Sequence, residues 1–172
     1  QHDFVEICSI QRKSKCDGMQ VITSFGSNQG NKFRILKAAA AALSDAVGRI
    51  TGISAFYETT PWGFDCEENF LNQVIVFESQ LSPTGFLQQC LKTEEKFGRI
   101  RYTPGPRYAS RPIDIDMLFY DSLILNLPDL QLPHPLICER NFVLAPLAEI
   151  MPDFIHPVSG KTIAQLFRES PD

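Results

Sequence analysis

Two helix-sized segments, each with a start signal and a glycine stop, alternate with strand-like runs, and their order limits the folds open to this chain. Regular punctuation begins at Met19. Val21–Phe25 reads as a short strand ending at Gly26-Ser27-Asn28. Asn31 caps an expected helix from Lys32 to about Val47, stopped by Gly48. Phe33, Leu36, Ala40, Leu43 and Val47 recur at three and four residues and predict its buried face. Ile50–Glu58 reads as a strand with Ile53, Ala55 and Tyr57 on one side, followed by a loop containing Pro61 and Gly63. Phe70–Glu78 is rich in β-branched and aromatic residues and predicts a further strand. Ser82-Pro83 supplies an N-cap and a first-turn proline for a helix running to Phe97, with Gly98 as its stop. A long Arg/Gly/Pro loop leads into a strand over Pro112–Tyr120. Leu123–Leu125 and Leu130–Leu132 suit a small hairpin, and helices over 139–150 and 162–168 close the chain. The order β-α-β-β-α-β followed by C-terminal additions predicts an α+β, ferredoxin-like fold. Its two helices cover one face of an antiparallel sheet and leave the other for a ligand or for the additions.

Composition narrows the function classes. A length of 172 residues with 44% hydrophobic and 21% charged suits one folded domain. Twenty acids against 16 bases give a formal charge of −4, which argues against nonspecific binding to nucleic acid or an anionic membrane. The longest aliphatic stretch, Ala38 to Leu43, is far shorter than a membrane span. Five scattered cysteines without a CxxC pair support neither a disulfide framework nor a zinc site, so a cytoplasmic location is expected. Gln1–Gly18 differs in character from the rest of the chain. It carries the basic run Gln11-Arg12-Lys13-Ser14-Lys15 and lacks the apolar core of a signal peptide. The expected division is an N-terminal extension over 1–18 and a single domain over 19–172.

The sharpest chemical signal is Asp114-Ile115-Asp116. On a strand, Ile113, Ile115 and Met117 enter the core while Asp114 and Asp116 point together to the opposite face. Adjacent carboxylates repel unless a cation compensates, and Mg²⁺ takes one or two carboxylates together with substrate phosphates. Upstream, Lys96, Arg99, Arg101, Arg107 and Arg111 occur without an intervening acid in a segment with Gly98, Pro104, Gly105 and Pro106. Arginine forks match phosphate oxygens. An arginine loop running directly into two carboxylates therefore predicts a magnesium–nucleotide site. His134, between Pro133 and Pro135, could donate to a phosphate when neutral or pair with one when cationic. The Gly26-Ser27-Asn28 loop fits no phosphate-loop spacing and is read as a tight turn and helix cap. Asn72 is a polar amide in an apolar strand and needs partners.

Taken in order, these stretches resemble the 6-hydroxymethyl-7,8-dihydropterin pyrophosphokinase family. The matching pieces are Gly26-Ser27-Asn28, Phe56-Tyr57-Glu58-Thr59, Pro61-Trp62-Gly63 and Phe70-Leu71-Asn72, then Glu94 and Gly98-Arg99-Ile100-Arg101. Arg111-Pro112-Ile113-Asp114-Ile115-Asp116, Pro133-His134-Pro135, Arg140-Asn141-Phe142 and Ala145-Pro146-Leu147 complete the series. The resemblance runs from Met19 to about Phe167, and the set is far more specific than any piece.

The resemblance implies transfer of diphosphate from ATP to the hydroxymethyl group of the pterin, with release of AMP. It implies that Asp114 and Asp116 hold two Mg²⁺ ions. Glu94, Arg99, Arg101, Arg111, His134 and Arg140 would bind ATP, with Arg99 and Arg111 also catalytic beside the two aspartates. Phe70 and Phe142 would sandwich the pterin, Asn72 would bond its polar edge, and Thr59, Thr60 and Trp62 would offer backbone groups there. The physics agrees. A flat heteroaromatic ring stacks well between two others, and phosphoryl-type transfer needs mainly alignment and charge neutralisation. No general base beyond a metal-bound carboxylate such as Asp116, or solvent, is expected. The implied protein is a monomer with ATP and the pterin as its partners, and no nucleic acid or membrane. Three positions depart from the family pattern. The Arg101–Arg111 loop is longer, which touches Arg107 and Tyr108. Asp129 stands where some members carry arginine, and Phe70 where some carry tyrosine. A two-metal phosphohydrolase built on the same Asp pair, and a noncatalytic ferredoxin-like binding module, are the alternative readings.

Overall fold

A computed structural model describes residues 18–60, 69–98 and 112–171. Its elements are β1 (Met19–Ser27), α1 (Lys32–Val47), β2 (Ile50–Ile53), β3 (Tyr57–Thr59), β4 (Phe70–Ser79), α2 (Pro83–Lys96) and β5 (Asp114–Tyr120). The hairpin β6 (Leu125–Asn126) and β7 (Gln131–Leu132), a 3-10 turn (Ile137–Glu139), α3 (Asn141–Ile150) and α4 (Ile163–Glu169) complete the chain. The caps act where the sequence places them. Asn31 accepts from Arg34 N and Ser82 from Gly85 N, each satisfying an N–H that has no partner within its helix.

The main sheet is antiparallel in the order β2-β4-β1-β5, with β3 also paired to β4. This is the predicted βαββαβ arrangement. Alternation along the strands feeds two cores. Val21, Phe25, Leu71, Ile75, Phe77, Ile113, Ile115 and Met117 lie in the one beneath α1 and α2. Ile22, Val74, Val76, Leu118 and Phe119 face the C-terminal helices and pack with Val143, Leu144, Leu147, Ile163 and Leu166. The additions therefore cover part of the second face, and the remainder carries the site.

Two local expectations fail. The run Ile50–Glu58 is not one strand. Ser54 turns the chain between β2 and β3, its N–H donating to Val74 O and its hydroxyl accepting from Val74 N. Ile53 and Ala55 are exposed as a result. Phe33 does not join the buried face of α1. It is 53% exposed and meets Phe56 edge-on, 5.2 Å between ring centroids, while Ala39 fills the stripe with Leu36, Ala40, Leu43 and Val47.

Candidate functional site

Register builds the site. In an antiparallel sheet, directly opposed residues project to the same face. Asn72 of β4 and Asp114 of β5 both oppose Gly26 of β1, and Tyr57 of β3 opposes Asn72. One cross-strand row thus reads Tyr57, Asn72, Gly26, Asp114. The neighbouring row, Val74, Ser24, Asp116, sets the second carboxylate beside the first. Thr59 opposes Phe70 one row the other way, on the same face. Further along, Val76, Ile22 and Phe119 are covered by the C-terminal helices.

Gly26 departs from its expected place. It lies within β1, not in a turn, and a Cβ there would stand 3.1 Å from Asn72 Oδ1. Its missing side chain leaves an open floor between an amide and a carboxylate. A glycine in mid-strand leaves room for close approach of another group. The Asn72 amide is oriented from the side. Its Nδ2 donates to Thr59 Oγ1 at 3.1 Å, which turns Oδ1 over the Gly26 floor.

The aspartates are half-buried, while Ile113, Ile115 and Met117 between and beside them are 0–5% exposed. Among the described residues, β5 is an edge strand of the sheet. Its edge is held from α2 by Glu94, which is fully buried and whose Oε1 accepts from Ile115 N at 2.8 Å. Glu94 therefore meets the site through the backbone between the two aspartates. Among the described residues no group of three or more His, Cys, Asp or Glu could hold a metal. Two carboxylates on one face form the partial oxygen set that suits Mg²⁺, whose other ligands are phosphate and water.

His134 follows a cis Leu132–Pro133 peptide. Its N–H donates to Leu118 O of β5, at 3.0 Å, which ties the loop to the aspartate strand. Its Nδ1 accepts from Leu136 N at 3.2 Å, so Nε2 carries the proton. Burial lowers its pKa to about 4, the Arg140 charge adds to this, and Asp114 opposes it. Of the two states open to it, the neutral donor is the one present near pH 7. Arg140 is the N-cap residue of α3, and its guanidinium lies 5.5 Å from the centroid of the Phe142 ring. That contact is a cation–π pair. Helix α3 packs on β4 and β3, which carries Phe142 to the side of the sheet that bears Asn72 and Thr59. Thr60 is exposed just past β3. Trp62, Arg99, Arg101, Arg107, Tyr108 and Arg111 lie outside the described residues.

The fold and these residues have known counterparts. The family model described as 7,8-dihydro-6-hydroxymethylpterin-pyrophosphokinase (HPPK) matches residues 22–152. A 2-amino-4-hydroxy-6-hydroxymethyldihydropteridine pyrophosphokinase of Porphyromonas gingivalis is 41% identical over 138 residues, covering 80% of this chain and 93% of the relative. A protein of the same name from Methylorubrum extorquens is 40% identical over 141 residues, covering 81% and 86%. The folic acid synthesis protein fol1 of Pneumocystis carinii is 34% identical over 164 residues, or 95% of this chain but 22% of that protein. Among solved structures, Plasmodium falciparum HPPK-DHPS with pteroate superposes with a TM-score of 0.72 at 16% identity, over 91% of this chain. The chain spans 43% of that Plasmodium chain, and the likeness there is one of fold.

Proposed function

The chain belongs to the 7,8-dihydro-6-hydroxymethylpterin-pyrophosphokinase family, and from that premise we propose how its own residues serve the family's reaction. It is an ATP-dependent diphosphotransferase of folate biosynthesis. Diphosphate passes from ATP to the hydroxymethyl oxygen of 6-hydroxymethyl-7,8-dihydropterin, and AMP leaves. The observation that carries the residue assignment is the row Asn72, Gly26, Asp114. An amide suited to a pterin edge and a carboxylate suited to a cation share one sheet face, separated by a residue without a side chain.

In this reading Asn72 pairs with the polar edge of the pterin in the orientation that Thr59 fixes, and Thr60 and Trp62 add backbone groups. Phe70 and Phe142 stack on the two ring faces. Asp114 and Asp116 hold Mg²⁺, as two ions, which neutralises the phosphate charge when bound. Glu94 keeps the aspartate strand in place through Ile115. His134 donates from Nε2 to a phosphate oxygen. Arg99, Arg101, Arg111 and Arg140 neutralise the diphosphate, and Arg140 on Phe142 sits where the two substrates meet. Alignment and charge neutralisation are the main requirements of such a transfer. Residues 19–172 form the catalytic domain and 1–18 an extension. The protein works as a cytoplasmic monomer and binds no nucleic acid. No helix among the described residues is long and apolar enough to cross a membrane.

The test incubates the full chain with ATP, Mg²⁺ and the reduced pterin alcohol. AMP and pterin diphosphate are expected in equal amounts. Release of ADP, or ATP breakdown that does not depend on the pterin, overturns the reading.

A further inference from the structure

The pterin subsite has walls on two separate elements. Asn72 and Thr59 belong to the sheet, whereas Phe142 belongs to α3. Its width therefore depends on how α3 is held against β3. The apolar side of α3, with Val143, Leu144 and Leu147, packs on the sheet further along. Phe142 itself packs against the edge of that core, and such apolar packing is nondirectional, so it leaves the helix free to slide over the sheet.

Among the described residues, Glu149 supplies a directional contact from α3 to the strand segment before β3. The break at Ser54 that ends β2 leaves the Ala55 N–H outside the ladder, and that N–H donates to Glu149 Oε2 at 2.8 Å. The Tyr57 side chain lies near enough to the same carboxylate to feel its charge. Tyr57 stands in the row with Asn72, and Thr59 lies two residues on. On α3, Glu149 and Phe142 are about two turns apart on one stripe of the helix. We propose that Glu149 is a positioning residue for the pterin subsite. Its carboxylate, by accepting from the Ala55 N–H just before β3, ties α3 to the start of that strand and sets the distance between Phe142 and the Thr59–Asn72 edge. Burial and then the nearby Glu149 charge raise the pKa of Tyr57, so its hydroxyl stays protonated.

Glu149 is exposed, so truncating it opens no cavity and removes little folding stability. This separates positioning from scaffold. The inference rests on the pterin reading of the site, and the experiment keeps the two apart. Steady-state AMP release by the full chain is measured with pterin varied at saturating ATP and with ATP varied at saturating pterin. Glu149→Ala is expected to raise the pterin KM about three- to tenfold, the scale of a lost charge-assisted hydrogen bond, and to leave the ATP KM within about twofold. Glu149→Gln keeps an oxygen acceptor and should restore most of the loss. A pterin KM in E149A within about twofold of wild type overturns the clamp, as does an equal rise for both substrates. If E149A does not fold, Glu149→Asp, which withdraws the carboxylate from the Ala55 N–H, takes its place, and a pterin KM there within about twofold of wild type overturns the clamp equally. Wild-type protein that makes no pterin-dependent AMP overturns the functional reading instead.

Discussion

A Cβ at position 26 would stand 3.1 Å from Asn72 Oδ1, on the face that also presents Asp114. At the scale of single residues the site therefore consists of two chemistries on either side of a gap, and they should fail in different ways. Asn72→Ala removes the amide proposed to recognise the pterin edge in both ground and transition states. It should raise the pterin KM about 10- to 100-fold, the scale of one or two matched hydrogen bonds, and leave kcat and the ATP KM near wild type. In the proposed reading, Asp114→Ala removes charge that would hold the cation against the phosphates. It should lower kcat by about 100-fold or more, with the melting temperature nearly unchanged, because the side chain projects from the core. Steady-state kinetics on both substrates decides this. Parallel losses in the two variants would show that Asn72 serves only as scaffold. Asp114 and Asp116 were legible because their neighbours Ile113, Ile115 and Met117 alternate with them. Asn72 was legible as a polar intrusion in an apolar run. Gly26 and Glu149 were not. Their roles depend on what lies opposite in another strand or at the end of another helix, and such register is absent from local sequence.

At the scale of elements, caps and stops are local chemistry, and α1 and α2 begin where Asn31 and Ser82 were expected to cap them. The failures involve long-range competition. Ile50–Glu58 has the alternation of one strand. Yet Ser54 bonds Val74 on both its N–H and its hydroxyl, and Glu149 takes the Ala55 N–H, so the run divides into β2 and β3. Phe33 has helical spacing, but it lies in the first turn of α1, beyond the end of the core, and remains exposed. The stop at Gly48 holds for a reason stronger than propensity. Its φ is +138°, a region that side chains rarely enter, and a Cβ would collide with the carbonyl oxygen of Glu78 in β4. The chain cannot yield there, because Glu78 N donates to Arg49 O at 2.9 Å and keeps the α1–β2 corner against the sheet. Gly48→Ala should therefore destabilise the fold by about 2–4 kcal/mol, from backbone strain added to a clash. Gly160→Ala, at φ +71° with nothing near its Cβ, carries strain alone and should lose about 1–2 kcal/mol. Urea denaturation of both variants measures the difference. Equal losses would mean that no backbone collision occurs at Gly48.

At the scale of the whole molecule, the sheet is shared between two cores, and the second is closed by a segment organised around a histidine. His156 is buried between α3 and α4, with its ring edge against Phe119 at 5.5 Å, and Phe119 in turn packs on Phe154 at 4.7 Å. Its Nδ1 accepts from Val158 N and Ser159 N, both at 3.2 Å, so the turn requires an unprotonated nitrogen there. Burial accordingly lowers the pKa of His156 below its ordinary 6.5. His134 is lowered in the same sense, to about 4, by burial first and then by Arg140. Proton counting sets the sign. Above pH 6.5 these rings are neutral in the folded and unfolded chain alike, and the fold keeps its full stability. As pH falls below 6.5, the unfolded chain takes up protons that the native state excludes, and stability is lost. The loss levels off only once each folded-state pKa has been passed, near pH 4 for His134. The melting temperature should therefore fall from pH 7 to pH 5, before most carboxylates begin to titrate. His156→Asn supplies an amide oxygen to the same two N–H groups without a titrating ring. It should lower the melting temperature at pH 7, through the lost contact with Phe119, yet flatten the slope towards pH 5 by up to roughly 1.4 kcal/mol per pH unit. Thermal denaturation at pH 7, 6 and 5 makes the comparison. A variant that loses stability as steeply as wild type would show that His156 is free to protonate in the native turn, and that the acid sensitivity of the second core lies elsewhere.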